Sequence, residues 1–121
     1  MCDLWRNTTT HPVPPGAIIR QIQYALGRLP KASVLKLYNS GSFFDSGAIP
    51  QSDYAAIAQL GSSFERVIVE CHPRLIGENA ITFAEVMGTQ LEIAIGLETA
   101  HPIALERINK RISLFDYVDA V

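Results

Sequence analysis

Short polar stretches follow three predicted strands, and their side chains could bind a polar ligand. The first stretch is Ser40-Gly41-Ser42, the second begins at Glu70, and the third runs from Gly96 to Glu98. Glu70 closes the apolar run Val-Ile-Val, where an unpaired carboxylate is costly to bury. Gly96 would let a ligand approach the backbone beside Glu98. The candidate binding residues are therefore Ser40, Gly41, Ser42, Glu70 and Glu98.

Structural roles are open to some of the same residues. Glu70 could pair with Arg66 or Arg74, or cap the following helix. Cys71 and His72 together offer a thiolate and an imidazole, but their spacing matches no closed zinc site. Neighbouring strand residues point to opposite faces of a sheet, which argues against a Cys–His nucleophilic pair.

Hydrophobic periodicity predicts the elements that would position these residues. We expect helices over 17–29, 50–61, 81–87 and 103–108, a last helix capped by Ser113, and strands over 34–39, 67–71 and 91–98. The order is one helix followed by three strand–helix units. Such alternation implies parallel strands joined by right-handed crossovers, so the carboxyl ends of the strands would meet at one edge of the sheet.

The predicted sheet is small and has two unpaired edges, which would be a liability in an isolated fold. The first helix also has no strand before it, although it should cover part of a sheet. We therefore expect an α/β fold that is an arc of a parallel, partial (β/α) barrel of the TIM type. The alternative is a small, self-sufficient three-stranded sandwich.

Composition narrows the class of protein. The chain has 121 residues, enough for one domain over 1–121, and 48% of them are hydrophobic, which excludes disorder and suggests strands buried on both faces. A net charge of −2 gives no global basic field for nucleic acid, and two cysteines exclude a disulfide framework. With no apolar run of membrane length and no signal-peptide pattern, we expect a cytoplasmic protein with no membrane contact.

Four segments, taken in order, resemble one family. They are Cys2–Thr8, Tyr38–Asp45, Val69–Arg74, and Gly96–Thr99 followed by 108–110. Together they resemble the radical S-adenosylmethionine (SAM) proteins of the archaeosine-synthase type. The elongator-type tRNA-modifying radical SAM enzymes share a looser version of the same pattern.

The resemblance implies a barrel enzyme that carries a [4Fe-4S] cluster on three cysteines. The cluster would reduce SAM to a 5′-deoxyadenosyl radical, which takes hydrogen from a substrate. By position, Cys2 would be the third cluster ligand, and Ser40, Gly41 and Ser42 would face the methionine end of SAM. Glu70 and Glu98 would contact SAM or the substrate, and RNA is the substrate class that the family suggests.

The chain departs from the family because the first two cluster cysteines are absent. Cys71 lies on another predicted strand and cannot replace them. We therefore expect a misplaced start, a fragment or a decayed paralogue, and no SAM cleavage by this chain alone. The competing hypothesis is a non-enzymatic α/β module that binds a partner, or a second copy, along its open sheet edges.

Overall fold

The computed structural model describes residues 6, 8–39, 41–109 and 111–121. Its strands are β1 (Val34–Leu37), β2 (Arg66–Glu70) and β3 (Gln90–Ala94). Its α-helices are α1 (Ala17–Leu26), α2 (Tyr54–Gly61), α3 (Glu78–Val86), α4 (Pro102–Ile108) and α5 (Leu114–Ala120). Short 3-10 turns at Gln51–Asp53 and Pro73–Leu75 precede α2 and α3. The predicted order of helices and strands is confirmed for these residues.

The three strands form a parallel sheet in the order β1-β2-β3. Strand order in the sheet therefore follows strand order in the chain. Val67 lies level with Leu35 and Leu91, and Val69 lies level with Leu37 and Ile93. The α/β class is confirmed, with an open sheet of three strands among the described residues.

Three helices cover a single face of this sheet. Ile22 of α1, Ile57 of α2 and Phe83 of α3 join Val67 and Val69 in one buried cluster. Because alternate residues of a strand point to the same face, these helices all pack on the side to which the odd-numbered residues of β2 point. The burial of this face supplies the main hydrophobic stabilisation of the described chain.

The opposite face of the sheet carries charged side chains. Lys36 is exposed and lies level with Ile68 and Glu92 across the three strands. Arg66 Nη1 lies 3.2 Å from Glu92 Oε2, and these side chains are 41% and 47% exposed. The expectation that both faces are buried holds for β2, where Val67, Ile68 and Val69 are at most 6% exposed, but it is wrong for β1 and β3, where Lys36 and Glu92 are exposed. Only β2 has three consecutive apolar residues, whereas Lys36 interrupts the apolar residues of β1 and Glu92 those of β3.

An aromatic cluster anchors the loop that follows β1. Phe43 and Phe44 come from this loop, Tyr54 begins α2, and Phe83 lies on α3. The ring centroids of Phe43 and Phe83 are 4.9 Å apart, and those of Tyr54 and Phe83 are 5.2 Å apart. All four side chains are at most 3% exposed. The preceding loop residues are thereby held against the covered face of the sheet.

A buried carboxylate joins the start of α1 to the start of α2. Both carboxylate oxygens of Asp53 accept a hydrogen bond from the backbone N–H of Gly16, at 3.0 and 2.8 Å. Gly16 has a φ of 79°, in the left-handed region that a glycine adopts without strain. Asp53 is 3% exposed. This contact fixes the position of α1 relative to α2.

The last helix docks on the turn that follows β2. Ser113 and Asp116 form the capping box at the start of α5, as the sequence predicts for Ser113. Arg74, in the 3-10 turn after β2, donates to Asp116 through Nε at 3.0 Å and through Nη2 at 3.1 Å. This bidentate pair ties α5 to the carboxyl-terminal side of the sheet.

Candidate functional site

A cleft of about 260 Å³ lies at the carboxyl ends of the strands. The loop after β1 contributes Gly41 and Ser42, and the region after β3 contributes Gly96. The end of β2 and the turn that follows contribute Glu70, Cys71, His72 and Pro73. We call this site the strand-end cleft. It brings together Gly41, Ser42 and Glu70, three of the candidate binding residues.

Hydrogen bonds between the strand ends hold the walls of the strand-end cleft together. The backbone N–H of His72 donates to Ser42 Oγ at 3.0 Å, and the N–H of Phe43 donates to the carbonyl of Glu70 at 2.9 Å. The N–H of Cys71 donates to the carbonyl of Ala94 at 3.0 Å. The loops after β1 and β2 are thus bonded to each other, and the end of β2 is bonded to β3. Such a site is largely formed before any ligand binds.

The Glu70 carboxylate is a half-buried negative charge in the strand-end cleft. Among the described residues, its oxygens have no ion pair and no hydrogen-bond donor. The two arginines that the sequence offered as partners are engaged elsewhere, Arg66 with Glu92 and Arg74 with Asp116. The alternative of a structural ion pair for Glu70 is therefore wrong, and its charge is available to a ligand.

Cys71 forms part of the floor of the strand-end cleft and is only 2% exposed. Burial raises the pKa of its thiol, and hydrogen bonds involving Phe44, Ser42 and His72 offset only part of that effect. The thiol is therefore protonated at neutral pH, which suits neither metal ligation nor nucleophilic attack.

The described residues contain no group of three or more His, Cys, Asp or Glu side chains that could hold a metal ion. Beside this cleft, His72 Nδ1 accepts a hydrogen bond from the backbone N–H of Arg74 at 3.3 Å.

Tyr54 is a buried residue with a polar hydroxyl at the start of α2, within the helix that the sequence predicts over 50–61. Its hydroxyl is buried without a hydrogen-bond partner among the described residues. Burial raises the pKa of this hydroxyl, and the nearby Cys71 raises it further. No sequence signal distinguishes Tyr54 from an ordinary core aromatic residue, since only the fold brings it near Cys71.

The remaining sequence candidates lie elsewhere. Glu98 is exposed, has a left-handed backbone φ of 67°, and is not among the residues that line the strand-end cleft. Cys2 and Ser40 lie outside the described residues.

Comparison with family models, curated proteins and solved structures found no match to this chain. The resemblance to radical SAM proteins therefore stays a prediction from the sequence. No helix in the described ranges combines the length and apolar character needed to cross a bilayer.

Proposed function

We propose that the strand-end cleft binds S-adenosylmethionine, and that the chain is an arc of the (β/α) barrel of a radical SAM iron–sulfur oxidoreductase. The observation that carries the proposal is the convergence of Gly41, Ser42, Glu70 and Gly96 at the carboxyl ends of parallel strands. Ligands of α/β folds bind at this edge of the sheet. Sequential strand order with α1, α2 and α3 on one face is also the winding of a (β/α) barrel.

The chemistry of the strand-end cleft suits the amino-acid end of SAM. That end carries an ammonium and a carboxylate on one carbon, and a sulfonium three carbons from the ammonium. Glu70 offers the two cationic groups a negative charge without a described partner. Gly41 and Gly96 leave the backbone accessible on either side of Glu70. Ser42 keeps the cleft in shape, because its hydroxyl oxygen accepts the N–H of His72.

The residues present do not form a cluster site. A [4Fe-4S] cluster of this family needs three thiolates, whereas the sequence contains two cysteines. Of these, Cys71 is buried with a raised thiol pKa. We therefore expect no SAM cleavage by this chain alone. RNA remains the proposed substrate class, and the reducing cytoplasm is the proposed location.

Titration with L-methionine and with SAM, followed by amide NMR, tests this proposal. We expect both to shift the amide signals of Ser42, His72 and Gly96. Glu70→Gln should weaken binding about tenfold, because it removes a charged hydrogen-bond acceptor. Glu85→Gln, an exposed change on α3, should leave binding unchanged. Equal binding by both variants, or no shifts in the strand-end cleft, would overturn the proposal.

Reconstitution with iron and sulfide under anaerobic conditions tests the statement about the cluster. We expect no stoichiometric charge-transfer absorbance from the monomer, because two cysteines cannot supply three ligands. One cluster per chain would contradict this expectation.

A second candidate function follows from the edges of the sheet. Among the described residues, β1 and β3 each pair only with β2, so each has one open edge. Open edges can accept a strand from a partner or from a second copy. This non-enzymatic module would elute as a complex or dimer in size-exclusion chromatography, and its elution would not respond to SAM. A monomer would exclude pairing between copies.

A further inference from the structure

The two open edges of the sheet belong to parts of the chain with opposite charge. The segment 17–37, which runs from α1 to the end of β1, contains four Lys or Arg residues and no Asp or Glu. The segment 78–106, which runs from α3 into α4, contains five Glu residues and no Lys or Arg. Among the described residues, β1 forms one edge of the sheet and β3 forms the other. One edge is therefore basic and the other is acidic.

A groove of about 480 Å³ lies at the β1 edge. Its walls are β1 itself, the end of α1 and the loop that joins them. Leu26 and Leu29 give the groove an apolar wall, and Leu29 is 62% exposed. Lys31 and Lys36 add positive charge. An open strand edge beside an apolar groove can bind an added strand, because the strand pairs through its backbone while alternate side chains enter the groove.

The sequence of β3 has the pattern that such an added strand needs. Leu91 and Ile93 pack on the face covered by the helices, so Glu92 points to the opposite face. β1 alternates in the same way, with its leucines on the covered face and Lys36 on the opposite face. When β3 of a second copy lies parallel to β1 with Glu92 level with Lys36, the apolar side chains of both strands share the covered face.

This register is favoured over its neighbours. A shift by one residue would turn the apolar side chains of the added strand to the charged face. A shift by two residues would place Lys36 beside Gln90 or Ala94, and the pair of opposite charges with Glu92 would be lost. In the favoured register, Tyr38, which is 52% exposed, lies beside Ala94, whose small side chain leaves room for the ring.

We propose that β1 of one copy pairs in parallel with β3 of a second copy, with Lys36 opposite Glu92, so that one sheet continues through both copies. The contact is head-to-tail, and each copy keeps one edge for a further copy, so the assembly closes into a ring or grows as a chain. This inference rests on the second candidate function, pairing along the open edges, and does not depend on the binding of SAM.

Sedimentation velocity over a range of protein concentrations, without SAM, measures this association. We expect the mean mass to rise above the 13.3 kDa of one chain as the concentration increases. A chain that stays monomeric at millimolar concentration would overturn the inference and leave the SAM proposal untouched. Failure of SAM or methionine to bind would refute only the SAM proposal.

Charge reversals identify the two strands that meet. Lys36→Glu places two carboxylates at each contact, and Glu92→Lys places two ammonium groups there. Each variant alone should associate at least about tenfold more weakly than the wild type, because like charges directly opposite repel. A mixture of the two variants has opposite charges at every contact between unlike copies and should associate as the wild type does. A mixture no heavier than the separate variants would overturn the proposed pairing.

Matched controls separate this contact from a general effect of charge. Arg20→Glu on α1 and Glu85→Lys on α3 make the same changes of charge at exposed positions away from the strands, and they should associate as the wild type does. Equal weakening by these controls would overturn the inference. Glu92→Lys also removes the exposed pair with Arg66, which contributes little to stability, so circular dichroism should show a folded chain. If Glu92→Lys does not fold, Glu92→Gln replaces it, and its mixture with Lys36→Glu should still associate more strongly than Lys36→Glu alone.

Discussion

Replacing Phe83 with leucine tests whether the aromatic cluster supports the cleft loop. Phe83 has no exposed surface, and its ring lies 4.9 Å from that of Phe43 and 5.2 Å from that of Tyr54. Replacing one core hydrophobic side chain with another of similar volume lowers the free energy of unfolding by less than ~1.5 kcal/mol. Each aromatic pair that is lost lowers it by a further ~0.5 to ~1.5 kcal/mol. We therefore expect Phe83→Leu to lower the free energy of unfolding by about 2 kcal/mol. The whole chain should have about 6 to 18 kcal/mol at its length of 121 residues.

Urea denaturation monitored by circular dichroism measures this loss. With a slope of about 2 kcal/mol per molar urea, the midpoint should fall by about 1 M. Phe115→Leu is the matched control, because Phe115 is 77% exposed on α5 and its replacement should change stability by less than ~0.5 kcal/mol. Combining Phe83→Leu with Phe43→Leu should reveal a coupling of ~0.5 to ~1.5 kcal/mol. Equal midpoints for Phe83→Leu and Phe115→Leu would refute the reasoning.

Three further predictions concern packing, capping and pH. Gly61→Ala should lower the free energy of unfolding by ~1 to ~3 kcal/mol, because the new Cβ would lie 2.9 Å from Val67 Cγ2. Gly88→Ala is the control: no atom lies within 4 Å of its new Cβ, so thermal denaturation should show no loss of stability. Ser113→Ala should lower the stability of α5 by about 1 kcal/mol, because it removes the capping box. Amide hydrogen exchange in α5 should become faster, and an unchanged exchange rate would contradict this prediction. The Arg74 guanidinium holds the pKa of the Asp116 carboxyl well below its usual range, so its stabilisation is complete at neutral pH. This stabilisation should be lost as the pH falls below about 4 toward the folded-state pKa of Asp116, so amide exchange in α5 should become faster in acid. In the Arg74→Met variant, which lacks the guanidinium, amide exchange in α5 should rise less as the pH falls.

The order of elements was predictable because each carries a local signal. The helices show the 3.6-residue period and the strands are short segments rich in apolar residues, so the type of each element followed from its pattern. Strand ends were less predictable. The third strand was expected to reach Glu98 but ends at Ala94, because its ladder with β2 ends at Glu70. Pairing depends on the neighbouring strand, which no local pattern encodes.

The candidate site was predictable only as far as topology determined it. Polar residues at strand ends had to meet once the strands were parallel, and Gly41, Ser42 and Glu70 do line one cleft. Glu98 was expected there because it was assigned to a strand end, but it lies four residues beyond the end of β3. The cleft between the segment 8–13, α1 and the loop after β1 had no sequence signal, because only the fold brings these segments together.

The face of the sheet opposite α1, α2 and α3 bears on the proposed barrel. Its charged residues balance, with Lys36 and Arg66 opposed by Glu70 and Glu92. A partner that covered this face would bury two positive and two negative side chains, at a large desolvation cost unless each kept a polar contact. A barrel interior filled by ligand and water would supply such contacts, whereas a flat apolar partner surface would not. The charge pattern therefore favours a polar, ligand-holding interior over an apolar protein interface on this face.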